Sequence, residues 1–480
     1  MRSVASDLRD LLGPSGVLDG AQDRRARVRD SWPQSHWWSE TDLDNRMPAA
    51  VALPEGEEQV VRLLEYAHQN GVILVARGGG SGVLGAAASL LNCVVLDTSR
   101  LNSGFQLGSD GQGPFVRAGA GMLGGELESR LNAAGFSLMN FPASMAVSSV
   151  GGWIATRAFG QLSTRYGGIE EQALAVRAVY PGGDLRVESP AAHLGAEGTL
   201  AALTEVTLRV RPLPKGRDGL GLDFGSAQEG LACAREALSQ LAVPSVMRLY
   251  SPTDAWASGL RGGGGGGSGA IGELLRSTAL KGFRWLGSLG GLLAKSWLLL
   301  LVYEDVPEGS ARMIVSRLGA KPSAASAAPA GRWWERRYQW DQDKLTRTFE
   351  SGCFADTLDV WGRWDSLAAL ESGLRDAMSP FALVLTHFSH FSEQGACLYV
   401  TFAGSGSTAP ETRGLHECAW RAGLDACVRL GGKTNHHHGV GLAKLPWIRT
   451  SVDPAWHADL RQAKAAADPN GILNPGKLCL

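Results

Sequence analysis

The chain has 480 residues, enough for two large domains or about three of average size. Its 46 lysines and arginines almost equal its 47 aspartates and glutamates, so net charge gives no attraction to nucleic acid or to an anionic membrane. A hydrophobic share of 44% excludes a disordered chain, and the 63 glycines indicate places where the backbone approaches a ligand closely.

The seven cysteines are scattered along the chain, and none forms a CxxC pair. This pattern favours reduced thiols and disfavours a disulfide scaffold or a zinc site. The N-terminal residues lack the continuous apolar stretch of a secretory signal, and no run of about 18 uncharged apolar residues follows. We therefore expect a cytoplasmic protein that binds neither a metal ion nor nucleic acid.

The first part of the chain alternates helix and strand patterns. Residues 1–46 are predicted to be lead-in helices, and residues 47–214 to be one domain. A helix with one apolar face is predicted from Pro54 to Gly71. That face comprises Val60, Leu63, Leu64 and Ala67. Buried strands and glycine-rich turns then follow as far as Pro212.

Residues 215–430 carry a second set of helix and strand patterns, which predicts a cap domain that faces the substrate. Low-complexity composition predicts a flexible coil at 262–269 and an exposed linker at 321–331. Leucines alternate with basic residues over 270–295 in an amphipathic pattern. This pattern predicts a mobile insert, 262–295, that touches a membrane surface or an acyl chain, and a helix packed on the core is the alternative.

A glycine loop follows the first predicted buried strand. It comprises Arg77, Gly78, Gly79, Gly80, Ser81, Gly82 and Val83. Consecutive glycines let the backbone approach a ligand and turn several N–H groups inward, which suits a pyrophosphate. The spacing is neither GxGxxG nor that of a P-loop, so both of those sites are disfavoured. For this segment alone, a plain strand-to-loop turn is the alternative.

Two further segments resemble a known flavoprotein superfamily. Residues 142–160, which include SSVGGW, are too rich in small residues for an ordinary core helix, and EGTL at 197–200 precedes a strand pattern. Together with the helix from Pro54 and the glycine loop, they resemble the vanillyl-alcohol oxidase superfamily, which includes FAD-linked D-lactate and glycolate dehydrogenases. The resemblance implies an α+β fold class with two domains. The FAD-binding domain is bipartite, because the N-terminal part and a C-terminal segment at 431–480 form it together. The other domain is an α+β cap.

The resemblance also implies which residues touch the cofactor. Beyond the glycine loop, they are Ala143, Ser144, Met145, Ala146, Val147, Ser148, Ser149, Thr156, Arg157, Ala158, Phe159, Glu197, Gly198, Thr199, Leu200 and Leu203. Members that attach flavin covalently often carry a histidine after the third glycine of the loop. Here Ser81 takes that place, so we expect non-covalent FAD.

Three consecutive histidines, His436, His437 and His438, precede a Gly-Val-Gly turn. A metal site is disfavoured because neighbouring residues of an extended chain point to opposite sides. A remnant of an affinity tag is disfavoured because the run is short and internal. A catalytic cluster is favoured, since imidazoles titrate near neutral pH and can take or give a proton.

The cap patterns resemble one branch of the superfamily, the alkyldihydroxyacetonephosphate synthase family. The residues that carry this resemblance are VMRLY at 246–250, GACLYVTF at 395–402 and the HHHGVG run. The metal-binding HxxGDGNxH motif of the dehydrogenases is missing, and Tyr399 stands near its last ligand position. The resemblance implies a redox-neutral exchange of the acyl chain of an acyl-dihydroxyacetone-phosphate-like substrate for a fatty alcohol, as in ether-lipid synthesis.

The same resemblance implies that Tyr399 is the acid/base, that the three histidines tune and assist it, and that Arg248 is a further site residue. A half-buried strand tyrosine and a surface salt-bridge arginine are the alternatives for Tyr399 and Arg248. For the activity, the alternatives are an FAD-linked oxidase or dehydrogenase of a hydroxy acid or alcohol, and a redox-inactive flavoprotein.

Two departures from the family pattern leave the substrate open. Ala143 stands where the family has aspartate, and Trp340 stands where it has an arginine that faces the substrate. Candidate replacements for that arginine are Arg336, Arg337 and Arg347. A homodimer and a peripheral membrane contact through 270–295 are likewise left open.

Overall fold

The computed structural model describes residues 3–261, 295–338 and 342–480. The chain divides into two compact units. The first comprises Met1–Gly160, Gly168–Leu213 and His437–Leu480, and the second comprises Gln161–Gly167 and Pro214–His436. The expected flexible coil, almost all of the amphipathic segment 270–295, and Trp340 lie outside the described residues.

The described part of the first unit contains three sheets. Their strands are β1 Val17–Leu18, β2 Ala50–Ala52, β3 Leu74–Arg77, β4 Val94–Asp97, β5 Gln106–Asp110, β6 Gly113–Gly119, β7 Phe136–Ser137, β8 Ala173–Val179, β9 Leu185–Glu188, β10 Ala202–Arg209 and β11 Arg211–Pro212. One sheet has the order β1-β2-β4-β3, in which β2, β4 and β3 are parallel. Another is antiparallel with the order β5-β6-β10-β8-β9, and in the third β11 pairs with β7.

Helices pack around these sheets. They are Val4–Leu12, Ala21–Arg25, Glu40–Asp44, Glu57–Asn70, Gly124–Ala133, Val150–Thr156, Ile448–Ser451 and Pro454–Ala467. The helix predicted from Pro54 is confirmed as Glu57–Asn70, and its four predicted apolar residues are fully buried. Gly71 ends it with a φ of 63°, a left-handed conformation that glycine adopts at little cost.

The second unit is built on a seven-stranded antiparallel sheet with the order β15-β12-β14-β13-β17-β18-β16. Its strands are β12 Arg217–Phe224, β13 Val246–Tyr250, β14 Trp297–Glu304, β15 Ala324–Ser326, β16 Phe354–Arg363, β17 Leu383–Ser389 and β18 Gly395–Gly404. Its described helices are Ser163–Tyr166, Ala227–Leu238, Pro252–Ala257, Ser310–Val315, Ala328–Arg336, Gln342–Glu350, Leu367–Met378 and Ala409–Arg429. The interior strand β14 is buried from Leu298 to Glu304, so both faces of the sheet are covered there.

The segment 321–331 is mostly exposed, as predicted, but the prediction that it is a linker is wrong. Ala324–Ser326 forms the edge strand β15, which pairs with Gly221–Asp223 of β12. A helix then begins at Ala328, with proline in its first turn, where a missing N–H costs nothing. Small residues alone resemble a linker in composition, but here they allow an edge strand and a helix to pack closely against the glycines of β12.

Among the described residues, no helix combines the length and the apolar composition that a membrane crossing requires.

Candidate functional site

The glycine loop of the first unit is shaped by close backbone packing. A Cβ atom on Gly79 would lie 1.8 Å from the carbonyl oxygen of Val147, and one on Gly78 would lie 2.1 Å from Ser149 Oγ. Only glycine therefore allows this loop to pack against the segment Val147–Ser149. Arg77 lies beneath the loop, where its side chain donates to the Arg29 carbonyl.

The loop also presents unused hydrogen-bond donors. Within the described residues, none of the backbone N–H groups of Gly79–Val83 donates to another group of the protein. Gly79 is exposed, Gly80 is buried and Ser81–Val83 are half-buried, so a ligand can reach the loop. Successive N–H groups with no internal partner can form a concave anion site. The loop therefore fits the diphosphate of a dinucleotide.

The small-residue segment of the first unit uses its side chains to order its own backbone. Ser149 caps the helix Val150–Thr156, and Ser148 Oγ accepts a hydrogen bond from Trp153 Nε1 at 2.8 Å. Arg157 ends the helix with a φ of 54° and pairs with Glu170 at 3.0 Å. The structure thus brings this segment and the glycine loop together, as the cofactor prediction requires.

Glu197 anchors the chain that follows the histidine run. Its buried carboxylate accepts hydrogen bonds from the backbone N–H groups of Val440 and Gly441. Burial raises the pKa of Glu197 to about 7, although these N–H groups and the charge of Lys477 oppose the rise. Gly441 has to be glycine, because a Cβ there would lie 2.0 Å from the Leu84 carbonyl.

The three histidines divide between the units. His437 and His438 belong to the first unit, where their rings lie 4.4 Å apart and Phe159 lies 6.4 Å from His437. His436 belongs to the second unit, and its backbone N–H donates to Asp359 at 3.0 Å. Its ring stacks on that of His390, with the centroids 5.3 Å apart.

A row of functional side chains crosses the sheet of the second unit. Strand register pairs Tyr250 with His387, His387 with Tyr399, and Tyr399 with Asp359. Directly paired residues of neighbouring strands point to the same face of a sheet. Arg248 shares this face because it lies two residues before Tyr250. The row therefore brings two of the predicted catalytic residues, Tyr399 and Arg248, together.

Tyr399 is half-buried in this row. Burial raises the pKa of its phenol, and the charge of Asp359 adds to the rise, whereas the hydrogen bond with Thr357 and the charge of Arg248 oppose it. The hydroxyl of Tyr399 is therefore protonated at neutral pH, which suits a proton donor better than a resting base.

His387 is a residue that sequence reasoning missed. Its ring lies between those of Tyr250 and Tyr399, at centroid distances of 4.8 and 5.1 Å. Its Nδ1 lies 2.9 Å from Asp254 Oδ2, and its Nε2 lies 3.2 Å from Arg248 Nη1. The sequence feature that could have revealed His387 is the hairpin of β17 and β18, because its register places His387 directly opposite Tyr399.

His390 follows β17 in a left-handed conformation, with a φ of 49°. Such a backbone is uncommon for a residue other than glycine and is frequent at functional sites. Its Nδ1 lies 2.6 Å from Ser163 Oγ, and both side chains are buried. This pair was also absent from the sequence prediction.

Sequence profiles of two protein families match the chain. The profile described as FAD binding domain matches residues 48–188, and the profile described as FAD linked oxidases, C-terminal domain, matches residues 213–478. The chain belongs to the family of FAD-linked oxidases. Its cofactor is FAD, and the predicted α+β fold, with a vanillyl-alcohol oxidase type FAD domain and a cap, is confirmed.

Similar proteins of this FAD-linked family include an alkyldihydroxyacetonephosphate synthase of Dictyostelium discoideum, 28% identical over 466 residues, which cover 90% of this chain and 73% of that protein. A D-lactate dehydrogenase of Archaeoglobus fulgidus is 25% identical over 453 residues, covering 89% of this chain and 90% of that protein. A solved structure of an alkyldihydroxyacetonephosphate synthase superimposes with a TM-score of 0.72 at 23% identity, covering 98% of this chain and 84% of that one. These similarities confirm the resemblance to the synthases and identify the chain as a flavoenzyme.

Proposed function

We propose that this flavoenzyme exchanges the acyl chain of an acyl-dihydroxyacetone-phosphate-like lipid for a fatty alcohol. The observation that carries the proposal is the row in which Tyr399 and Arg248 share one face of the sheet in the second unit. Similarity to synthases of this activity over most of the chain supports it. A protonated phenol and an arginine suit a substrate that has both a departing carboxylate and a phosphate.

The exchange breaks the bond between a substrate carbon and the acyl oxygen and forms a bond from that carbon to the alcohol oxygen. The proton of the alcohol ends on the released fatty acid, so there is no net oxidation. FAD, when bound through the glycine loop, supplies an electron-accepting ring to the reaction. Tyr399 is the proton donor for the departing carboxylate, because its raised pKa keeps it protonated.

The candidates for the base that takes the proton of the alcohol are the histidines of the run His436–His438. His387 is a poor base, because both of its ring nitrogens face partners, Asp254 and Arg248. His436 lies at the end of the row through its hydrogen bond to Asp359, so it is the candidate base within the second unit. The predicted proton-handling role of His437 and His438, which belong to the first unit, stays a prediction.

The test uses the FAD-loaded protein under anaerobic conditions, with acyl-dihydroxyacetone phosphate and an isotope-labelled fatty alcohol. We expect label in an ether product, release of one fatty acid for each ether formed, and an oxidised flavin spectrum at the end. Omission of the alcohol is the control and should abolish the labelled product. No labelled ether with the wild-type protein would contradict the proposal.

A second candidate function is oxidation of a hydroxy acid or alcohol, favoured by the similarity to a D-lactate dehydrogenase. Anaerobic mixing with D-lactate and other hydroxy acids tests it. Rapid bleaching of the oxidised flavin band by one of these substrates would favour the oxidoreductase over the exchange reaction.

A further inference from the structure

The partners of His387 determine its protonation. A guanidinium group only donates hydrogen bonds, so Nε2 of His387, 3.2 Å from Arg248 Nη1, has to be the accepting nitrogen. Nδ1 then carries the proton and donates to Asp254 Oδ2 at 2.9 Å. Burial and the charge of Arg248 disfavour a second proton, whereas Asp254 favours one, and the net pKa is lowered. His387 is thus a neutral imidazole in one defined tautomer.

The imidazole is also fixed in orientation. His387 is 9% exposed, and its ring lies between Tyr250 and Tyr399. Asp254 is fixed in turn, because it lies in the first turn of the helix Pro252–Ala257 and its Oδ1 accepts from Ser258 Oγ. A rotation of the ring would therefore disturb both flanking tyrosines and break the bond to Asp254.

Arg248 receives its support from neutral groups. Besides His387, its guanidinium interacts with the Tyr250 hydroxyl and lies 5.2 Å from the ring of Trp333. In the part of the chain that the structure describes, it forms no ion pair with a carboxylate, and its buried Nε has no hydrogen-bond partner. Arg248 is half-buried, and a buried donor such as its Nε is normally hydrogen-bonded. The guanidinium can therefore take an anion as a further partner.

We propose that Asp254 and His387 form a positioning dyad that orients Arg248 toward a phosphate group of the substrate. This inference rests on the proposed function for the identity of the anion. The neutral acceptor at Nε2 holds one side of the guanidinium without cancelling its charge. A carboxylate in the place of His387 would hold Arg248 equally well but would neutralise it, which explains why a histidine backed by a carboxylate stands there.

The test measures binding of inorganic phosphate to the FAD-loaded protein by calorimetry, so that it does not depend on turnover. His387→Leu removes the acceptor for Arg248 and should weaken phosphate binding by about tenfold or more, the effect of losing a hydrogen bond to a charged group. His387→Gln places an amide oxygen near the position of Nε2 and should restore most of the affinity. Arg248→Met removes the guanidinium and so shows the phosphate affinity that remains when this site is lost.

A second variant and a matched control separate positioning from folding. Asp254→Asn keeps the shape but no longer fixes the tautomer, so it should weaken phosphate binding less than His387→Leu. The control is His416→Gln, because His416 and Asp356 form a buried histidine–carboxylate pair with the same 2.9 Å distance in the same unit. That variant should bind phosphate like the wild type, with an unchanged FAD content.

Failure of this inference and failure of the proposed function give different results. Equal phosphate affinity in the wild type and in His387→Leu, or equal losses in His387→Leu and His387→Gln, would overturn the positioning role. Wild-type protein that binds no phosphate would overturn it as well. If phosphate binding follows the expected order but no ether product forms, the dyad stands and only the proposed exchange fails.

Discussion

The imidazole of His387 lies nearly face to face with the phenol of Tyr399, with the ring centroids 5.1 Å apart and the planes 22° apart. In this arrangement the two rings stack, while the nitrogens of His387 bond to Asp254 and Arg248. The histidine next to Tyr399 therefore gives it packing and orientation. The proton chemistry of Tyr399 depends on its own raised pKa.

The first prediction concerns the hydroxyl of Tyr399. Tyr399→Phe keeps the ring that stacks on His387, so folding and FAD content should persist. Loss of an essential proton donor should reduce turnover by on the order of 10²-fold or more in the exchange assay.

The matched control for this prediction is Tyr303→Phe. Tyr303 is fully buried on β14 of the same sheet, and its hydroxyl has no hydrogen-bond partner among the described residues. Its loss should leave turnover near the wild-type value. Similar activities in the two variants would make Tyr399 an ordinary strand residue.

Sequence patterns predicted those features of the site that depend on local chain chemistry. The glycine loop was predicted from its composition, and Tyr399 was predicted from the resemblance of GACLYVTF to a family motif. His387 was missed because its role arises from the pairing of β13, β17 and β18, which brings together residues more than 130 positions apart. The histidine run was treated as one cluster, yet the boundary between the units falls within it, between His436 and His437.

The second prediction concerns the fit of the glycine loop. Gly79→Ala would place a methyl group 1.8 Å from the Val147 carbonyl, so the loop has to move away from the segment Val147–Ser149. The ratio of FAD to protein, measured from absorbance spectra, should fall well below that of the wild type. Gly56→Ala is the control, because a Cβ there meets nothing within 4 Å. An unchanged FAD ratio in Gly79→Ala would show that the loop does not hold the cofactor.

The third prediction is that FAD is bound without a covalent link. Ser81 follows the third glycine of the loop, and a serine hydroxyl forms no stable bond to the flavin ring under ordinary conditions. Precipitation with acid should therefore release all of the yellow colour into the supernatant. Flavin fluorescence that stays with the protein on a denaturing gel would contradict this prediction.

The last prediction concerns pH and the buried carboxyl of Glu197, whose pKa is raised from 4.5 to about 7. Between these two pH values the folded protein holds a proton that the unfolded chain has released. The contribution of Glu197 to the free energy of unfolding is therefore complete below about pH 4.5, falls as pH rises to about 7, and is constant above that.

Glu197→Gln removes this titration while keeping an oxygen that accepts from Val440 and Gly441. The stability of the variant relative to wild type should therefore rise between pH 4.5 and 7 by on the order of 1–3 kcal/mol, measured by urea unfolding. Glu58→Gln, on the exposed side of the helix Glu57–Asn70, is the control and should follow the wild-type pH profile. Parallel profiles for Glu197→Gln and the wild type would mean that Glu197 is already ionised at pH 5, held by the N–H groups of Val440 and Gly441 despite its burial.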